Sequence, residues 1–559
     1  MRGSKALLEL LEQQGVDVMF GIPGGTTMPI YDDLLDSNIR HVLVRHEQCA
    51  AHMADGYARA TGRIGVCMAT SGPGATNLVT GVATAFVDSS PMLAITGQVR
   101  TPVIGHQAFQ EGDSFSLMMP VTKHSYRILD PCDLPEAVIR GMAIATTGRY
   151  GPVHIDLPMD AMQGEVPDEL MRMKYPVDPH PEDLSELPQA IKLLKSAERP
   201  LIMVGGGCVW AGAHQEIVKL AETLMAPITT TLMGKSVVPE THPLALGLIG
   251  MHGRECPRRA YMECDVLLAV GTRFSDRSTG KNYLQGETKI VHVDIDPGEA
   301  GKSPQTEVRL VGDAKKALNA IIQGLGASRG ETPWSQRIKE MRDFCDCNID
   351  LTEMPIKPQK IIHDLNELIP ENAMVTTEVG QNQMWAAHLF RVKSPRQFIS
   401  SGGFGTMGFG FPAALGVKVA YPDRPVVDIA GDGSIQMVIQ EFATAVSEDL
   451  PVMVVIMNNG WLGMVKQWQK LFNDKRYSGT ELRNNPNFVK LAEGFGAEGV
   501  KVERPSELKE ALERGLKSDV PFLVDVITDP EEDVLPMVPA GAGADQVIQG
   551  RCRWKSSNW

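Results

Sequence analysis

GDGSIQMVIQEFATAVSEDLPVMVVIMNNG, residues 431–460, sets an acid between two glycines at one end and a pair of asparagines at the other. PVVDIA (425–430) and PVMVVIM (451–457) are short apolar runs of the kind buried in a parallel sheet. Between them Ile439, Phe442, Ala443 and Val446 recur at i, i+3, i+4 and i+7, one face of a helix. Strand, helix and strand form a crossover unit, whose two strands are parallel and end on the same edge of the sheet. Asp432 follows the first strand and Asn459 the second, so both reach the edge where open sheets bind ligands. Gly431 and Gly433 let the backbone approach a phosphate closely, and Ser434 can help cap the following helix. A carboxylate, an amide oxygen and a backbone carbonyl suit Mg²⁺ shared with a diphosphate. Either end alone reads as an ordinary turn; the two at this spacing read as a diphosphate anchor.

The rest of the chain repeats that rhythm. Its 559 residues are too many for one hydrophobic core, and 43% hydrophobic with 22% charged residues fits a globular protein. A formal charge of −14 argues against nucleic acid as a partner. No apolar stretch approaches the ~20 residues of a membrane span. The opening MRGSKALLELLEQQG reads as an amphipathic helix rather than a signal peptide, so the expected compartment is the cytoplasm. Nine scattered cysteines without a CxxC pair fit reduced thiols, and Cys345 with Cys347 is only a weak metal candidate. Apolar strands alternate with helical stretches in three blocks, 1–165, 186–325 and 357–530, followed by a tail over 531–559. The expected fold is α/β: three doubly wound domains with parallel sheets. The first and third blocks share a rhythm without a detectable repeat.

The GDG-then-NN pairing resembles the diphosphate anchor of thiamine diphosphate (ThDP) enzymes. That resemblance implies Mg²⁺ ligands Asp432, Asn459 and the main-chain oxygen of Trp461, with Gly431, Gly433 and Ser434 around the diphosphate. It also implies a carboxylic acid beside the pyrimidine N1′, where it drives the tautomer by which the cofactor removes its own C2 proton. VLVRHEQCAAHMADGYARATG (42–62) supplies Glu47 just after a strand, in the first turn of a helix whose buried stripe is Ala50, Met53, Ala54 and Tyr57. In such enzymes the acid reaches across a dimer interface. SGPGATN (71–77) and FGIPGG (20–25), with Gly25, would line the same pocket.

Further motifs run in order along the chain: AITGQV, AFQEGD, SGGFGTMGFGFPAALG, NNGWLGMVKQWQKLF and VLPMVP. Together they resemble the catalytic subunits of the acetohydroxyacid synthase (acetolactate synthase) family. Members decarboxylate pyruvate and join the two-carbon unit to pyruvate or 2-oxobutanoate, on the way to branched-chain amino acids. The resemblance makes Met407 the apolar support on which ThDP bends, and Val379, Gly380 and Gln381 the pyrimidine pocket. It places Phe109 and Gln110 near the reacting carbon, with Gln110 as a hydrogen-bond donor. Trp468 would select the acceptor, Arg277 would hold its carboxylate and Met251 would lie beside them. Arg149, Gly205, Gly206, Gly207, His252, Arg273, Asp294 and Asp313 match the family's FAD stretch, where the flavin has no net redox role. Homodimers or tetramers and a small regulatory subunit are implied partners. Met159 stands where the family usually has Lys. The rival reading is a flavin-dependent pyruvate oxidase or another ThDP-dependent 2-oxo acid decarboxylase.

Overall fold

The computed structural model describes residues 1–176, 180–279, 287–344 and 350–550. The Cys345–Cys347 pair and the tail 551–559 lie outside the described residues. Three six-stranded sheets form, and every paired strand within them is parallel. Strands covered by helices on both faces read as apolar runs, such as VLLAV and, interrupted only by the buried Asp428, VVDIA. No helix among the described residues is long and apolar enough to cross a membrane.

Counted along the chain, the first and third sheets have the same strand order, 2-1-3-4-6-5. The shared rhythm of those two blocks is thus a shared topology. The middle sheet runs 3-2-1-4-5-6, the doubly wound order associated with dinucleotides. Each order has one place where successive connections leave in opposite directions and open a crevice at the strands' carboxyl ends. In the third sheet it lies between Met374–Thr377 and Val426–Gly431. In the middle sheet it lies between Pro200–Val204 and Val266–Val270. In the first it lies between Val18–Gly21 and Gly65–Ala69.

The first and third domains are joined by one helix pair. Glu47–Thr61 was expected to bury a single stripe, yet every residue from Cys49 to Ala60 is buried. One side packs on its own domain; the other packs on the helix Gly410–Ala420 of the third. The approach is backbone to backbone. A Cβ on Gly56 would stand 2.3 Å from the Ala413 carbonyl oxygen, and one on Gly416 would stand 2.0 Å from that of Met53. One continuous core results, including Ala50, Met53, Phe409, Ala413 and Phe442. A buried ion triad crosses the same contact. The Arg59 guanidinium pairs with Asp55 at 2.7 Å and Asp88 at 2.9 Å and donates to the Ser400 carbonyl at 2.8 Å.

Gly→Ala in an open helix position usually stabilises a protein by up to ~1 kcal/mol. At Gly416 the clash should dominate and cost about 1–3 kcal/mol. Gly416→Ala is therefore expected to lower the thermal unfolding midpoint. Gly494→Ala, where a Cβ would meet nothing within 4 Å, is expected to leave it level or raise it. Differential scanning calorimetry of the two variants checks the pair.

Candidate active site

The third-sheet crevice gathers the anchor residues. Strand Val426–Gly431 delivers Asp432, and strand Met453–Asn458 delivers Asn459. Asp432 is 2% exposed. Its Oδ2 accepts from the Gly460 N–H at 2.9 Å and from Asn485 Nδ2 at 2.7 Å. Burial pushes its carboxyl up to about 6 despite those donors. Asn459 Oδ1 accepts from the Trp461 N–H at 2.9 Å, which folds residues 459–461 into a turn. Asn459 Nδ2 donates to Gln381 Oε1 at 3.2 Å, and Gln381 Nε2 donates to Gln467 Oε1 at 2.9 Å. Ser434 helps cap the short helix Asp432–Ile435, as expected: its hydroxyl accepts from the Gly431 N–H at 3.4 Å and donates to the Gly431 carbonyl at 3.3 Å. Asn382 donates to the Ile429 carbonyl at 2.8 Å, and its Oδ1 stands 2.9 Å and 3.1 Å from where Gly380 and Gly431 would place a Cβ.

A buried carboxylate at a strand end, with an amide oxygen from the next strand beside it and glycines on both flanks, fits a hard divalent cation and its diphosphate. Met407 lies at the same place: its Cε is 3.8 Å from where a Cβ on Gly433 would stand. Val379 is buried, and Gly380 has a φ of +145° that other residues rarely adopt.

In the first domain the crevice is walled by glycines. Asn77 Nδ2 donates to Glu47 Oε2 at 3.0 Å, and Glu47 Oε1 stands 3.4 Å from where a Cβ on Gly74 would be. Gly24 is pressed on Thr70, while a Cβ on Gly25 would meet nothing within 4 Å. The AFQEGD loop packs on this wall, with the Gln110 carbonyl 2.6 Å from a Cβ built on Gly72. Its Phe109 is 88% exposed. The loop is moored through Gln98, which donates to the Gly112 carbonyl at 2.7 Å, and through the Arg127–Asp113 pair at 2.6 Å. Met159 opens a short helix, half-buried.

A cavity of 920 Å³ begins at the middle-sheet crevice. Arg149, Gly205, Gly206, Gly207, Met251, His252, Arg273, Arg277, Asp294, Asp313, Val379 and Trp468 all line it. Gly205 and Gly207 are glycines for a local reason. A Cβ on Gly205 would lie 2.1 Å from the Gly271 carbonyl oxygen, and one on Gly207 2.8 Å from the Gly271 Cα. Asp313 caps the helix Ala314–Leu325, accepting from the Lys316 N–H at 3.0 Å. Arg149 donates to Ser89 at 2.9 Å, and Arg273 to the Val87 carbonyl at 2.9 Å. Burial pushes Asp294 up to about 6 and pulls the His252 imidazole down to about 3. Neither ring nitrogen of His252 makes a hydrogen bond of ordinary geometry among the described residues, the Val534 carbonyl being only loosely approached. At the far end Arg277 lies 5.4 Å from the Trp468 ring centroid, with its Nη1 3.0 Å from Met251 Sδ.

Asn485 and Asn382 are lone amides without a motif in the sequence, and Asn77 and Gln467 sit in motifs whose glycines and aromatics draw the eye first; all four reach the site through tertiary folding. EVG (378–380) was read only from its second residue, although an acid ending a buried strand is an available cue.

Three family models match in order: the thiamine pyrophosphate enzyme N-terminal TPP binding domain over 1–117, its central domain over 187–321 and its C-terminal TPP binding domain over 378–526. With the third-sheet crevice they define the class, a thiamine pyrophosphate enzyme. The chain is 48% identical to a probable acetolactate synthase large subunit of Methanocaldococcus jannaschii, covering 98% of this chain and 95% of that one. It is 43% identical to the acetolactate synthase isozyme 2 large subunit of Escherichia coli, covering 98% and 100%, and 43% identical to the acetolactate synthase large subunit of Corynebacterium glutamicum, covering 98% and 90%. The chain belongs to the acetolactate synthase large-subunit family.

The folded chain keeps the Asp432 proton to higher pH than the unfolded chain does. Cation-free protein should therefore lose on the order of 2–3 kcal/mol of stability as pH rises from about 4 to about 6 through this group. Other buried acids titrate nearby, so the difference between wild type and Asp432→Asn isolates it. In EDTA the variant is expected to be the more stable at pH 7 and to lose that advantage at pH 4, by urea denaturation.

Proposed function

We propose that the chain is a catalytic acetolactate synthase subunit: with ThDP and Mg²⁺ it decarboxylates pyruvate and joins the two-carbon unit to pyruvate or 2-oxobutanoate. The observation that carries the reading is Arg277 over the face of Trp468, beside Met251. A guanidinium suits the acceptor's carboxylate, and a flat apolar ring suits its alkyl group. An oxidase, whose second substrate has no carboxylate, needs neither.

Asp432, the Asn459 side-chain oxygen and the Trp461 carbonyl would hold Mg²⁺, with Gly431, Gly433 and Ser434 around the diphosphate. Val379, Gly380 and Gln381 would line the aminopyrimidine, and Met407 would support the bend between the two rings. Bound ThDP would supply a carbon nucleophile, once its C2 proton is lost, and an electron sink for the pair left when CO₂ departs. Glu47 would hold a proton at the pyrimidine N1′, steadied by Asn77. Gln110 would donate to the oxygen that gains charge, where a fixed donor away from water is effective. Phe109, with Gly25, would complete the wall from a second copy of the chain. What supports the dimer is exposed apolar surface on both thiamine domains: Phe109 at 88% and Met28 at 62% on the first, Met437 and Phe472 at 54% each on the third.

FAD would occupy the cavity, with its diphosphate near Gly205–Gly207 at the middle-sheet crevice and His252 giving its free ring nitrogens to the flavin. The cavity volume and the unpartnered imidazole support that reading. A small regulatory subunit and a cytoplasmic location complete the proposal.

Purified chain with ThDP, Mg²⁺ and pyruvate is expected to give 2-acetolactate, and with 2-oxobutanoate added 2-aceto-2-hydroxybutanoate, scored by mass, with a flavin absorption spectrum. Acetate with oxygen uptake would overturn the reading in favour of an oxidase. Glu47→Gln is expected to lower turnover about 10²-fold or more, in the range of one lost proton-transfer group, while calorimetry still shows ThDP–Mg²⁺ binding. Trp468→Leu should shift the 2-oxobutanoate-to-pyruvate product ratio by about fivefold, the worth of one methylene's contact.

A further inference from the structure

The loop from Ser401 to Phe409 carries Met407 between strand Phe398–Ser400 and helix Gly410–Ala420. It has no regular structure of its own, and Gly405 and Gly408 take φ values of +73° and +90°. Its backbone N–H groups are satisfied by side chains. Gly403 donates to Asp88 at 2.7 Å, and Gly405 and Thr406 both donate to the Ser401 hydroxyl at 3.1 Å. The residues after Met407 meet a single group. Gly408 N–H donates to Glu378 Oε2 at 2.7 Å, and Phe411 N–H donates to Glu378 Oε1 at 3.0 Å. Glu378 is fully buried, directly after the strand Met374–Thr377 that forms one wall of the crevice.

We propose that Glu378 is a positioning residue for the thiamine cofactor: its buried carboxylate, gripping the N–H groups of Gly408 and Phe411, fixes how far Met407 stands into the crevice beneath the bend. The proposal rests on the reading of Met407 given above. A carboxylate bridging the loop amide of Gly408 and the Phe411 amide in the first turn of helix Gly410–Ala420 ties the loop's end to that helix, and charged acceptors make the stronger hydrogen bonds. A second acid shares the wall. A Cβ on Gly410 would lie 2.4 Å from Asp428 Oδ1 and 2.5 Å from the Glu378 nitrogen. Asp428 is also fully buried; its Oδ1 accepts from the Thr376 hydroxyl at 3.0 Å, and its Oδ2 has no partner among the described residues. Two carboxylates in one dry wall do not both ionise. Glu378, with an amide on each oxygen, holds the charge, and Asp428, with an idle oxygen, holds the proton. Burial pushes both acids up, and the charge on Glu378 pushes Asp428 further.

Glu378→Gln keeps the shape but turns an NH₂ group against a backbone N–H. The readouts are ThDP–Mg²⁺ affinity by calorimetry and the rate at which the C2 proton of bound ThDP exchanges with D₂O, by quenched NMR. The diphosphate anchor is untouched, so affinity is expected to stay within about threefold. Exchange needs the two rings in register and is expected to fall about 10- to 100-fold, the scale of an ångström-level misplacement. Wild-type exchange, or affinity and exchange falling together with thermal stability, overturns the proposal. If Glu378→Gln does not fold, Glu378→Asp decides: a carboxylate one methylene short is expected to slow exchange, and an unchanged rate overturns the proposal. Asp428→Asn, which removes only a proton-carrying oxygen, is expected to exchange at close to the wild-type rate; a collapse there overturns the assignment of charge to Glu378. Met407→Ala separates the two readings. Wild-type exchange in that variant sinks the role of Met407 itself, whereas slow exchange there with normal exchange in Glu378→Gln sinks Glu378 alone.

Discussion

The crossing of helices Glu47–Thr61 and Gly410–Ala420 is the contact on which the rest of the molecule turns. It brings two separately wound domains to backbone distance, with Gly56 on the Ala413 carbonyl and Gly416 on the Met53 carbonyl. Little side-chain freedom remains in such a contact, so the domains cannot slide by a fraction of an ångström without a clash. The loop 401–409 enters directly from this helix pair. Arg59 lies 4.9 Å from the Phe409 ring centroid while its partner Asp88 holds Gly403. An ion triad buried this deeply adds little net stability against an apolar alternative, but breaking it would leave charges unpaired. Its visible effect is to fix the path of one loop across two domains.

Much of the fold could be read from the residues, and the parts that could not share a cause. Central strands such as VLLAV and MVVIMN are covered on both faces, so their sequences are continuous and apolar. Among the edge strands, Ala245–Leu248 and Phe398–Ser400 are buried throughout, but others are not. Arg40–Leu43 is exposed at Arg40 and Leu43, His124–Arg127 at His124, and Glu498–Val502 at Glu498 and Lys501. Their polar residues face water and hide the period. The helix Glu47–Thr61 shows the opposite failure. Its stripe of Ala50, Met53, Ala54 and Tyr57 is real, yet the other face is buried as well, because alanine and glycine let a second domain approach where a sequence shows only small residues.

The same division holds at the site. Asp432 and Asn459 were legible because topology converts their spacing into proximity: parallel strands deliver their carboxyl ends to one edge. Asn485 also reaches Asp432, its Nδ2 2.7 Å from Oδ2, but from a loop with no fixed spacing. Glycines were legible as places needing freedom, though not for which reason. The run Gly205–Gly207 suggested close approach to a ligand; the atoms that forbid a side chain at Gly205 and Gly207 belong to Gly271, on the neighbouring strand's exit. The two turns pass each other at backbone distance only because both are thin.

Two sheets with one strand order do different chemistry because different residues leave the same edge. The first sheet ends in glycines and hydroxyls around Glu47, with Thr26 and Thr70 hydroxyls 3.0 Å apart and no charge between them. The third ends in acids: Asp432 at the mouth, Glu378 and Asp428 behind it. Buried acids without cations are costly, and stability given up this way is typical of sites arranged for chemistry rather than for folding. Asp432, under the proposed function, would meet a cation. Glu378 would not; its oxygens are met by backbone amides, one in the loop beneath which the cofactor would bend and one in the first turn of the helix that follows. A cheaper residue could close that turn, so an acid here makes sense only if the loop must be held in one place under load.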